Sequence, residues 1–153
     1  MSDYTATVQW LRETDAKFTA GQYSRAHEWQ FDGGQTIKAS AAPAIVPAPW
    51  SDPAGVDPEE AFVASLSSCH MLFFLDLAAR RGFVIDSYTD QAVGTLAKTE
   101  DGKQRMTRVV LNPQVSFSTD PQPDQQAIAK LHHRAHELCF IANSVSTEVI
   151  VNG

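Results

Sequence analysis

A chain of 153 residues with 43% hydrophobic and 20% charged residues has the size and balance of one folded globular domain. Its formal net charge of −6 speaks against a surface built for nucleic acid or anionic lipid. Met1 to Arg12 carries no apolar leader-like stretch, and the apolar run Met71 to Leu75 is far shorter than a bilayer span, so the chain reads as cytoplasmic.

In chain order, Thr5 to Leu11 has β character. Arg25 to Phe31 alternates, and Asp32-Gly33-Gly34 is a turn signal before Gln35 to Ser40, which together predict a hairpin. The proline-rich stretch Pro43 to Pro58, with Trp50 inside it, reads as an extended ordered loop. Asp57 is placed to cap a helix, with Pro58 at its first position and Glu59 and Glu60 in its first turn. That helix runs to Arg80 or Arg81 and stops at Gly82. Ser87 to Lys98 and Gln104 to Ser118 read as two long strands around the turn Glu100-Asp101-Gly102. A second helix spans Asp124 to Cys139, and Thr147 to Val151 is a last strand. The order βββ-α-ββ-α-β is an α+β class, with one sheet carrying helices on one side and the whole chain, 1–153, forming a single domain.

The first helix places Phe62, Val63, Leu66, Met71, Leu72, Phe73, Leu75 and Leu77 all around its circumference. A helix apolar on every side needs cover on every side. One sheet covers one side only, so a second copy of the chain is the simplest remaining cover.

Two cysteines in a reducing compartment are poor candidates for a permanent bridge, which raises the weight of reactive or metal-bound thiols. Cys69 lies in the middle of the apolar helix, where it reads either as a small core residue or as a nucleophile. A buried thiol has its pKa raised, so a nucleophilic Cys69 needs a cation at hand. Arg25 alternates with His27, Trp29 and Phe31 on one face of its strand, an unusual place for an arginine unless it is paired or snorkels to water. Cys139 falls on the apolar stripe of the second helix near its C-terminus, where the helix dipole disfavours a thiolate. His132, His136 and Cys139, at i, i+4 and i+7, also share a helix face usable for zinc, although a clear fourth ligand is missing.

The run Asp57-Pro58-Glu59-Glu60-Ala61-Phe62-Val63-Ala64-Ser65-Leu66-Ser67-Ser68-Cys69-His70 resembles the OsmC/Ohr family. That family carries Pro-Glu-(Glu/Gln) and, ten residues after the first Glu, a reactive cysteine in a helix of small residues. Ala135-His136-Glu137-Leu138-Cys139-Phe140-Ile141-Ala142-Asn143-Ser144 is similar to the family's second signature, Cys-Pro-x-Ser-Asn, with Phe140 in place of the proline. The resemblance extends over nearly the whole chain.

What the resemblance implies is an intertwined homodimer whose β-sheets enclose a central buried helix pair, with active sites at the subunit interface. It implies an antioxidant peroxidase: thiol-dependent reduction of organic hydroperoxides, with Cys69 as the peroxidatic and Cys139 as the resolving cysteine, joined in a redox-active disulfide. Glu59 would position an active-site arginine, for which Arg25 is the choice and Arg12 the fallback. The implied partners are the hydroperoxide and an external dithiol reductant; no metal, flavin or nucleotide cofactor is called for. The apolar helix and the Trp50 loop favour bulky alkyl or aryl hydroperoxides. Ten residues of straight helix span about 15 Å, so Glu59 serves Cys69 only if the helix bends near Ser65 to Ser68 or if Arg25 bridges the gap. Rival readings are an oxidative-stress-associated binding protein of the same fold with little turnover, and a cysteine hydrolase using Cys69 with His27 or His70.

Overall fold

The computed structural model describes residues 1–118 and 120–153. The chain divides into two compact units, Met1–Ala61 and Phe62–Gly153, with the boundary inside the first turn of the long helix.

In the first unit β1 (Thr7–Gln9), β2 (His27–Gln30) and β3 (Thr36–Ala39) form an antiparallel sheet in that order. The predicted hairpin is present. Phe31 N–H donates to Gln35 O at 2.9 Å and Gly34 N–H to Phe31 O at 3.0 Å, and Gly34 sits at φ +91°, a conformation open to glycine. Only three residues of the predicted strand Thr5 to Leu11 pair, because the chain then leaves the sheet to build an aromatic cluster. Trp10, Phe18 and Tyr23 meet there at centroid distances of 5.8, 5.7 and 4.5 Å. The proline-rich stretch is ordered as expected: Val56 N–H donates to Lys38 O at 2.9 Å and Ser40 N–H to Val56 O at 3.0 Å. Gly55 permits this approach, since a Cβ there would lie 2.9 Å from the Ala39 carbonyl carbon.

Helix α1 (Pro58–Arg80) begins and ends as its sequence signals require. Glu60 N–H donates to Asp57 Oδ1 at 2.7 Å while Asp57 N–H donates to Glu60 Oε2 at 3.1 Å, a reciprocal capping box worth about 1 kcal/mol. At the other end Gly82 takes φ +80° and Phe83 N–H returns to Ala78 O at 3.0 Å. The break considered at Ser65 to Ser68 does not form. Ser65 Oγ donates to Phe62 O at 2.8 Å, so the hydroxyl is satisfied on the helix itself and the ladder continues.

In the second unit each of the long strands expected at 87–98 and 104–118 is two strands. β4 (Ile85–Asp90) pairs antiparallel with β7 (Pro113–Phe117), while β5 (Val93–Lys98) pairs antiparallel with β6 (Gln104–Leu111). β8 (Glu148–Val151) adds to β6 in parallel. The expected single sheet is therefore three sheets. Side chains do the work of the ladder at the crossover: Asp90 Oδ1 accepts from Asn112 N–H at 2.6 Å, and Asn112 Nδ2 donates to Gln91 O at 3.0 Å. Pro113, without an N–H, then starts the new strand.

Within the second unit α1 buries one stripe, Leu66, His70, Phe74 and Ala78, and leaves Ala64, Ser68, Leu72 and Asp76 exposed. Burial on every side is thus not achieved by the chain alone. By length and composition α1 is apolar enough to cross a membrane, yet its buried stripe serves as core here. Helix α2 (Gln125–Leu138) starts at Asp124, whose Oδ1 accepts from Ala127 N–H at 2.7 Å, and it contributes Leu131 and Ala135 to a cluster with Phe74 and Ala78. A second cluster joins Leu66 to Val109 and Leu111 of β6.

Candidate active site

The two cysteines, 70 positions apart in sequence, meet in the second unit. Cys69 is half-buried, one helical turn beyond Ser65; Cys139 ends α2 and is 1% exposed. Their thiols are near neighbours, close enough for each to bear on the other's proton. Burial pushes the Cys139 thiol up to about 11, and the nearby Cys69 pushes the same way. Ala142 N–H donates to Cys139 Sγ at 3.4 Å and opposes the shift only in part. The pair is therefore unequal. Cys69 is half-buried, while Cys139 is buried and holds its proton, as suits an attacking and a resolving thiol.

Arg25 does not pair with Glu59 within the chain. Its guanidinium lies 3.6 Å from the Tyr23 ring centroid, and Nη1 donates to Gly21 O at 2.9 Å and Tyr23 O at 2.6 Å. These bonds aim it along a mostly apolar groove of about 480 Å³ in the first unit, lined among others by Trp10, Phe18, His27 and Pro58. Arg12, the fallback, is exposed and donates to the carbonyls of Glu13 and Thr14. Glu59 is half-buried and takes no part in the capping box, which uses Glu60. Arg25 and Glu59 are thus both free of capping and ion-pair duties among the described residues, and the aromatic groove around Arg25 is a feature no local sequence pattern announced.

His27 and His70 are both committed elsewhere. Trp29 Nε1 donates to His27 Nε2 at 3.1 Å, so His27 Nδ1 carries the proton toward Arg25 O at 2.7 Å. His70 is in the buried stripe of α1, its Nε2 3.0 Å from His132 Nδ1 and the two rings stacked 5.3 Å apart. Burial first, then each other's company, holds His70 down to about 4; burial likewise brings His132 to about 4, with Asp90 pulling weakly the other way. Neither has the ordinary basicity of a general base for Cys69. The trio considered for zinc is divided, because His132 bonds His70 and Cys139 lies beside Cys69. Among the described residues no three His, Cys, Asp or Glu side chains are arranged to hold a metal ion.

A polar seam crosses this unit that sequence reasoning missed. Ser67 Oγ donates to Asp90 Oδ2 at 2.5 Å, and His70 Nδ1, His136 Nδ1 and the Tyr88 hydroxyl are buried without a partner. The spacing of His70 on the core stripe, four residues after Leu66 and four before Phe74, is the signal that could have placed it inward.

The OsmC-like protein family matches residues 51–152. Among solved structures, an OsmC-like protein of unknown function from Vibrio cholerae is 57% identical, with a TM-score of 0.98 over 99% of both chains. Two others share the fold at lower identity. The organic hydroperoxide resistance protein of Elizabethkingia anophelis is 16% identical with a TM-score of 0.70, over 99% of this chain and 93% of its own. That of Bacillus subtilis is 20% identical with a TM-score of 0.59, over 97% and 98%. No curated protein sequence matches the chain.

Proposed function

Since the chain belongs to the OsmC-like protein family, we propose that it is an organic hydroperoxide reductase in which Cys69 attacks and Cys139 resolves. The observation that carries this reading is the juxtaposition of the two free thiols, one half-buried and one buried. A pair of unrelated core cysteines has no reason to meet at the end of one helix and the middle of another.

The chemistry follows from that pair. The Cys69 thiolate attacks the terminal oxygen of ROOH; the O–O bond breaks, its electron pair leaves on RO⁻, and RO⁻ takes a proton to become ROH. Cys69 is left as a sulfenic acid. The Cys139 thiol condenses with it, forming the S–S bond and releasing water, which protects Cys69 from further oxidation. An external dithiol then restores both thiols by exchange and is itself oxidised to a disulfide. None of these steps needs a metal, flavin or nucleotide.

The proposed assembly is an intertwined homodimer acting in the cytoplasm, with both compact units parts of one domain. Support comes from α1, whose exposed Leu72 (60%) lies on a helix otherwise rich in apolar residues, and from Phe140, 71% exposed. A second chain would cover these faces, and Arg25 would complete the partner subunit's site by pairing there with Glu59 and stabilising the Cys69 thiolate and the departing alkoxide. The reading is tested by thiol titration of the reduced protein before and after one equivalent of cumene hydroperoxide, followed by steady-state consumption of the peroxide with a dithiol. Both thiols should disappear together and turnover should follow. Retention of both thiols and no consumption would leave the alternative of a stress-associated binding protein.

A further inference from the structure

The two helices that carry the thiols are joined a second time, immediately beside them. Phe73 follows Cys69 by four residues, one turn along α1 on a neighbouring path, and Phe140 follows Cys139 directly. Their rings meet edge to face, with centroids 5.0 Å apart and planes at 88°. Phe140 is nevertheless 71% exposed, so the contact is not part of the buried core. It is the first contact with α1 made by the segment leaving α2 after Cys139.

That segment also packs Ile141, Ala142 and Val145 against the cluster of Leu66, Val109 and Leu111, further along the chain from Cys139. Asn143 N–H donates to Cys139 O at 3.0 Å, Ser144 Oγ donates to Phe140 O at 2.6 Å, and Asn143 Nδ2 donates back to Glu137 O at 3.0 Å. These bonds shape the turn after α2 and tie it to that helix, but none of them reaches α1. Position along α1 must come from contacts made by side chains, and the ring of Phe140, adjacent in sequence to Cys139, makes one of them.

We propose that Phe140 and Phe73 form a positioning latch that keeps Cys139 against Cys69, and so sets how quickly Cys69 sulfenic acid is resolved. The inference rests on the two-cysteine reading, but it also has a consequence independent of peroxide. Holding two thiols side by side raises their effective concentration, which favours the disulfide at equilibrium with any thiol–disulfide couple. Neither ring touches the oxidant's oxygen atoms in this scheme; both act through the cysteines next to them.

The latch competes with over-oxidation. Cys69–SOH either reacts with the Cys139 thiol to give the disulfide and water, or meets a second ROOH to give Cys69–SO₂H and ROH. Loosening Cys139 slows the first path and leaves the second unchanged, so the partition moves toward sulfinic acid at a given peroxide concentration.

The test compares wild type, Phe140→Ala, Phe73→Ala and Phe140→Tyr in two measurements on the full chain. In the first, the reduced protein is equilibrated with mixtures of oxidised and reduced dithiothreitol, and the Cys69–Cys139 disulfide is quantified by mass. In the second, intact mass after cumene hydroperoxide gives the disulfide-to-sulfinate ratio, and the rate of the first Cys69 oxidation is read separately. Loss of one edge-to-face pair is expected to lower the disulfide equilibrium constant roughly 2- to 10-fold in both alanine variants. The peroxide concentration that gives half sulfinate should fall by a similar factor, Phe73→Ala should keep the wild-type rate of the first oxidation, and Phe140→Tyr should restore both readings. An unchanged dithiothreitol equilibrium in Phe140→Ala overturns the latch, whatever the peroxide data show. A shifted equilibrium in a protein whose Cys69 does not react with hydroperoxide upholds the latch and overturns the peroxidase reading instead.

Discussion

His70 and His132 lie flat against each other in the interior of the second unit, Nε2 to Nδ1 at 3.0 Å, and so link α1 to α2 through two neutral imidazoles. Phe74 stacks on His132, with centroids 4.2 Å apart. His136 and Asp90 are the other titratable groups felt by this pair.

The pair predicts a pH dependence of folding stability. Both imidazoles have folded pKa values of about 4 against 6.5 for the free side chain. Between those values the unfolded chain binds more protons than the folded one, so stability rises with pH across this window. The contribution is complete above about pH 6.5 and is lost as pH falls toward 4. For each ring it is of order 1–3 kcal/mol, since the rings influence one another. Urea midpoints measured from pH 4 to 7.5 should fall steeply toward acid, and His70→Leu should remove about half of the histidine-linked slope. Identical pH profiles for wild type and His70→Leu would sink the idea.

The division of labour between the thiols predicts unequal outcomes of mutation. Cys69→Ser should abolish consumption of organic hydroperoxide, because the attacking sulfur is gone. Cys139→Ser should allow one oxidation and then stall, with Cys69 trapped as sulfenic acid that dimedone labels. The buried Cys139 thiol, held at about 11, should alkylate slowly at pH 8 compared with Cys69 once both are reduced. Steady turnover by Cys69→Ser would falsify this assignment.

How far the sequence foretold these features depends on whether the cause was local. Asp57, Pro58, Glu60 and Gly82 act within a few residues, and the start and end of α1 were legible from them. Asp124 and Gly34 are of the same kind. The division of the long strands was not legible, because it rests on Asp90 and Asn112, which are 22 positions apart and meet only in the fold. The histidine pair spans 62 positions and the aromatic cluster of Trp10, Phe18 and Tyr23 has no period, so neither leaves a pattern along the chain. The cysteines stand out in sequence by their surroundings. Their meeting is a tertiary fact.

Assembly gives a further prediction. Within one chain α1 leaves Leu72 open and Phe140 lies mostly exposed, while Val84 and Val93 are also more than half exposed. Covering such a surface at about 25 cal/mol per Å² drives association without any specific polar contact. Sedimentation equilibrium at micromolar concentration should therefore give a dimer, and Leu72→Glu should shift it toward monomer. A cooperatively folded wild-type monomer under those conditions would rule out the intertwined dimer.

The arginine is the sharpest test of the proposed site. Within the chain Arg25 spends Nη1 on the carbonyls of Gly21 and Tyr23 and rests on the Tyr23 ring, while making no ion pair with Glu59. These contacts fix the stem of the side chain and leave Nε and Nη2 without a partner among the described residues. A guanidinium so held is pre-aimed: its free edge can meet a carboxylate and a thiolate of the partner subunit with little entropy left to lose. If so, Arg25→Ala and Glu59→Ala should each slow Cys69 oxidation by cumene hydroperoxide by a large and similar factor, on the order of 10²-fold. Their double mutant should be scarcely slower than either single one, because both act through one ion pair. Arg25→Lys should recover only part of the rate, since an ammonium cannot make the two parallel bonds. The purely structural reading of Arg25 makes a different forecast, in which Arg25→Ala lowers stability through loss of the Tyr23 contact while oxidation proceeds at the wild-type rate. Rapid-mixing measurement of Cys69 oxidation beside a urea titration separates the two. A stability loss with an unchanged rate would remove Arg25 from the site and turn attention to Arg12.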